Sequence, residues 1–139
     1  MLEKLLFWIY FANIIFLINH EIESAFWKEW KLFNMNKGDD EKSEQQGITN
    51  FVLIHFPLLF LIILGLLELK TWSYFGIIMS YIVAATGVFA FSIHSYFIKK
   101  GNHEFTLKIS RFILVSTLIL SIGQIIITTY IILQKGGIL

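Results

Sequence analysis

The sequence predicts an all-α integral membrane protein, a four-helix bundle running up-down-up-down as one domain over residues 1–139. Three observations predict it. Of the 139 residues, 56% are hydrophobic and only 15% are charged. The apolar residues gather into four runs of about 20, the length that crosses a bilayer as a helix. The polar residues inside those runs recur at helical spacing and fall into narrow stripes. The mean hydropathy of +0.70 is too high for a water-soluble domain of this size. There is no cysteine, so disulfides and thiolate metal sites are excluded. A net charge of +1 argues against nucleic acid as a partner. The expected partner is the lipid bilayer.

The first span is expected over residues 5–25. Its apolar part is interrupted by Asn13 and closes on His20, Glu21, Glu23 and Ser24. Lys4 before an apolar run imitates a signal peptide, but Glu23-Ser24-Ala25 puts a carboxylate where a cleavage site wants a small residue. The helix is therefore expected to be retained. Phe26, Trp27 and Trp30 then supply aromatic anchors for the interface.

Residues 34–49, NMNKGDDEKSEQQGIT, form the one long polar stretch. It reads as a mobile loop, with residues 39–44 dispensable for folding, because it has no apolar surface to bury. The second span is expected over 51–69, capped by Thr49 or Asn50, with His55 and Pro57 in its first turns, where proline is tolerated. The third covers 74–98. In it Gly76, Ser80, Ala84, Gly87, Phe91 and His94 share a stripe whose small residues let helices approach closely in lipid. Lys99, Lys100 and Gly101 suit its C-terminal end. The fourth covers 109–133. Its stripe of Ser110, Thr117, Ser121, Gln124 and Thr128 fits either interhelical hydrogen bonds or a polar cavity lining.

Lysine and arginine are shared unequally between the two ends of such a bundle. Lys4, Lys70 and Lys135 mark the end with both termini. Lys28, Lys31, Lys37, Lys42, Lys99, Lys100, Lys108 and Arg111 mark the other. The positive-inside rule then places both longer loops in the cytoplasm and the termini outside. His20, His55 and His94 fall roughly 6–8 Å below that cytoplasmic surface at 1.5 Å per residue, with His103 and Glu104 in the loop above.

Ionisable groups in a span are costly and mark a site by default. At about 100° per residue, Asn13, His20, Glu23, Ser24 and Trp27 share one arc, and Glu21 points away from it. His20, His55 and His94 are thus candidate ligands for a divalent metal, zinc or iron. Glu23 is a candidate fourth ligand or catalytic general base, and His103 or Glu104 could close the site. The expected activity is that of a metal-dependent enzyme acting on a lipid or apolar small molecule at the cytoplasmic leaflet. Two alternatives stand beside it: a His/Glu network that only fixes helix packing, and a b-type haem held by two histidines. No HExxH, nucleophile elbow, P-loop or dinucleotide fingerprint is present.

The run His20-Glu21-Ile22-Glu23-Ser24-Ala25, followed by Trp27-Lys28-Glu29-Trp30, His55-Phe56-Pro57 and His94 through Ser110, resembles uncharacterised small bacterial membrane proteins. Those carry a HE[IL][DE]A-type motif at the end of the first span. More distantly the chain is similar to the HxxEE-motif membrane proteins. His20 and Glu23 match the H and the first E, and Ser24 stands in place of the second. The resemblance covers nearly the whole chain. It implies four spans and no established activity.

Overall fold

The computed structural model describes residues 1–31, 41–101 and 106–135. Among the described residues the fold has four α-helices, α1 Leu2–Phe26, α2 Glu41–Leu69, α3 Tyr74–Lys99 and α4 Lys108–Gln134, with a 3-10 turn at Glu29–Lys31 after α1. Each of the four is long and apolar enough to cross a membrane, and the chain is a multi-pass membrane protein.

Consecutive helices pack side by side and α4 closes against α1, so the bundle runs up-down-up-down. Hydrogen bonds fix the register. Tyr10 donates to the Ile62 carbonyl at 3.0 Å, joining α1 to α2. The Asn13 amide donates to Ser121 at 3.1 Å and to Gln124 at 3.0 Å, joining α1 to α4. Gln124 in turn donates to the Ser80 carbonyl at 2.7 Å, and Ser80 and Thr128 share a hydrogen bond of 2.9 Å. Ser121, Gln124 and Thr128 of the α4 stripe thus serve as interhelical glue at mid-bundle. Gly87 lets α3 and α4 meet: any Cβ there would collide with Ser121 Oγ and crowd Thr117.

At the end with the termini, Lys135 pairs with Glu3 at 2.6 Å and sits 4.6 Å over the Trp72 ring of the α2–α3 turn. Ser73 caps α3 by accepting from the Gly76 amide at 3.1 Å. His20, His55 and His94 gather at the opposite end.

The loop expected over residues 34–49 is corrected from Glu41 onward. Residues from Glu41 onward are helical, so α2 begins ten residues before the apolar run. Glu41 and Glu44 in the first turn suit a helix N-terminus, and Lys28 pairs with Glu44 at 2.6 Å. Pro57 therefore lies in the helix interior instead of the opening turns, and its missing N–H leaves the Leu53 carbonyl without its usual donor.

Candidate functional site

The site begins with the end of α1. The Trp27 and Lys28 N–H groups bond back to the Glu23 and Ala25 carbonyls, and Lys28 stands at φ 54°, in the left-handed region. That reversal folds the chain back under the bundle. It carries Glu29 to His94, whose Nε2 lies 3.4 Å from Glu29 Oε1. The Nε2 atoms of His20 and His94 stand 3.2 Å apart, so one ring holds a proton and donates it to the other. Both rings are buried, at 3% and 1% exposure. One ligating atom each from His20, Glu29 and His94 lies within 4.8 Å of the other two. Burial pushes the Glu29 carboxyl up, but hydrogen bonds from His94 and Ser24, with the nearby imidazoles, hold it below the ordinary carboxylate value.

His55 stands outside this group and has its own acid. Its Nδ1 lies 2.7 Å from the Phe51 carbonyl, which only a ring N–H can satisfy, and its Nε2 lies 2.8 Å from Glu21 Oε2. With Nδ1 donating, the Nε2–Glu21 contact holds one further proton, on the ring or on the carboxyl. The expectation that Glu21 points away is thereby corrected. Glu23 goes to the other flank, where its Oε1 accepts from Ser110 of α4.

The reason is that a helix in a four-helix bundle has two neighbours. Glu21 and Glu23 stand about 80° to either side of the Asn13 line. One side, shared with Tyr10, meets α2. The other, shared with Phe16, meets α4. A single inward arc is too narrow a description of such a helix.

His20, Glu21, Glu29 and His55 nonetheless line one cavity of about 320 Å³ between the end of α1, α2 and α3. Glu23 does not line it. His103 and Glu104 lie outside the described residues. Glu29 is the residue that sequence reasoning missed: it follows the span, on the far side of a chain reversal, so no helical periodicity connects it to His20.

A family model described as "Family of unknown function (DUF6713)" matches residues 6–131. No curated protein and no solved structure matches the chain.

Proposed function

Since the chain belongs to DUF6713, a family of unknown function, membership supplies no activity, and we propose one from the site. The protein holds a divalent metal ion, zinc or iron, between His20, His94 and Glu29, and acts on a lipid or apolar substrate in the adjoining cavity. One observation carries this reading. The His20–His94 and His94–Glu29 spacings of 3.2 and 3.4 Å match ligand atoms around one ion, which at about 2.1 Å per bond stand roughly 3–4 Å apart. Three protein ligands leave a position open, as catalytic sites do. A bound ion there supplies a Lewis acid and an activated water.

The remaining roles fall to this chain's own groups. His55, held by Phe51 and Glu21, takes the acid–base role on the cavity wall that the sequence assigned to Glu23. Glu23 ties α1 to α4 through Ser110. The distribution of lysine and arginine supports a site at the cytoplasmic face, with both termini outside.

The hydrogen bond between His20 and His94 favours a second reading, a metal-free packing network. A haem suits the pair less well, since two axial nitrogens across one iron stand roughly 4 Å apart at about 2 Å per bond. Elemental analysis of untagged protein decides. About one metal equivalent per chain is expected, lost in His20→Ala, His94→Ala and Glu29→Gln and kept in His55→Ala and Glu23→Gln. Metal-free protein under metal-replete growth establishes the packing network instead.

A further inference from the structure

On the outside of the bundle, Tyr81 of α3 and Thr129 of α4 share a hydrogen bond of 2.8 Å, which marks the seam between these two helices. Lys99 follows Tyr81 by 18 residues, and Arg111 precedes Thr129 by 18. At 3.6 residues per turn that interval is five full turns. Lys99 and Arg111 therefore stand on the same two flanks as Tyr81 and Thr129, opposite each other, at the histidine end of the seam. Lys100 and Lys108 lie beside them, and all four cations are exposed.

Nothing acidic offsets this charge. Among the described residues none of the four has an ion-pair partner, whereas Lys28 and Lys31 pair with Glu44 and Lys135 pairs with Glu3. Two cations that face each other repel. Lys108 and Arg111 also stand in the opening turn of α4, where the helix dipole disfavours positive charge and no acid is present. An anion between the two flanks relieves both costs. Tyr96, half exposed, carries the Lys100 ammonium 4.7 Å over its ring, as an aromatic residue at headgroup level can.

Below the cations the α3 flank carries small exposed residues, Ser92 and Ala85. Ser92 donates its hydroxyl to the Val88 carbonyl at 2.8 Å, which leaves that donor already bonded within α3. The matching flank of α4 carries Leu118 and Ile122. At 1.5 Å per residue Ser92 and Ala85 lie roughly 10 and 21 Å below Lys99. That is the depth of one leaflet in a bilayer about 40–45 Å thick.

We propose that an anionic phospholipid binds along the α3–α4 seam. Its phosphate sits between Lys99 and Arg111, and an acyl chain runs down past Ser92 and Ala85. Basic sites between helix ends suit such headgroups, and the Arg111 guanidinium can hold a phosphate through two hydrogen bonds. None of these residues lines the cavity or belongs to the His20, Glu29 and His94 group, so the outcome is independent of metal content.

The test measures lipid binding to the purified full chain by native mass spectrometry, with phosphatidylglycerol against phosphatidylcholine of the same acyl chains. Both carry a phosphodiester, and only the first is anionic overall. Phosphatidylglycerol is expected to bind about 30-fold more tightly, the weight of two cations near a membrane surface. Lys99→Gln and Arg111→Gln should each lower that affinity about five-fold. Lys31→Gln, which removes a cation already paired with Glu44, should leave it unchanged. Ser92→Trp fills the seam without altering charge and should weaken binding too. Melting temperature supplies a second readout. In phosphatidylcholine nanodiscs Lys99→Gln and Arg111→Gln should melt no lower than the unaltered chain, because a like charge is gone. In phosphatidylglycerol nanodiscs they should melt lower, because a ligand that binds the folded state stabilises it. Equal affinity for the two lipids, an equal loss in Lys31→Gln, or unchanged affinity in Arg111→Gln overturns the proposal. Variants that melt lower in both lipids assign the cations a structural role and overturn it as well.

Discussion

Lys28 shows what a single residue decides here. A side chain at φ 54° crowds its own backbone, at a cost of order 1 kcal/mol that glycine avoids. The position is kept in this conformation because Trp27, Lys28 and Lys31 close the turn through backbone bonds and because Glu29 then reaches His94. Lys28→Gly should therefore hold or raise the thermal stability in detergent, by up to about 1 kcal/mol, although it loses the pairing with Glu44. That pair is exposed and contributes little. A clear fall in melting temperature would show that the ion pair, and not the turn, holds the site together. Lys28→Pro should do the opposite and detach Glu29, since proline cannot take a positive φ.

At the scale of elements, the contact between α3 and α4 depends on the absence of a side chain at Gly87. Gly87→Ala should cost about 1–3 kcal/mol through overpacking against Ser121 and Thr117. Gly123, on α4, offers the contrast: a Cβ there meets nothing within 4 Å. Gly123→Ala should be neutral or stabilising by up to about 1 kcal/mol, the helix-propensity difference. Thermal unfolding of the two variants side by side checks the pair of predictions, and equal melting temperatures would refute the close-approach account. The early turns of α2 make a related point. Residues 41–46 are exposed or half-buried and polar, yet Gly47 beyond them seats the Trp30 indole. Replacing 41–46 with a flexible linker should leave the bundle folded but loosen that seat, read as increased solvent quenching of Trp30 fluorescence in a variant keeping that tryptophan alone.

For the molecule as a whole, the contacts of Lys135 with Glu3 and Trp72 put the two ends of the chain and the α2–α3 turn together, and the histidines at the other end. Combined with the excess of lysine and arginine at the histidine end, this predicts a definite orientation. Reporter fusions in the α1–α2 connection and after the C-terminus should report opposite compartments, cytoplasm for the first. One compartment for both would refute four spans, and exchanged compartments would place the site at the outer face.

Composition and periodicity were enough for the number, type and order of the helices, because water-to-lipid transfer acts on every residue of a span and leaves a long signal. They were enough, too, for gathering His20, His55 and His94 at one end, since helix rise converts sequence position into depth. Which acid meets which histidine was settled only by the tertiary structure. Glu21 and Glu23 are distinguished by which neighbouring helix each flank of α1 faces, and a helical wheel drawn for one helix contains no neighbours. Glu29 reaches His94 through a reversal at Lys28, a residue type that gives no sign of a left-handed turn. The polar start of α2 looks like a loop by composition, and it is a helix whose Gly47 meets the Trp30 indole across space. Depth is a one-dimensional property and can be read along the chain. Partnership depends on packing among four helices at once, and no single segment encodes it.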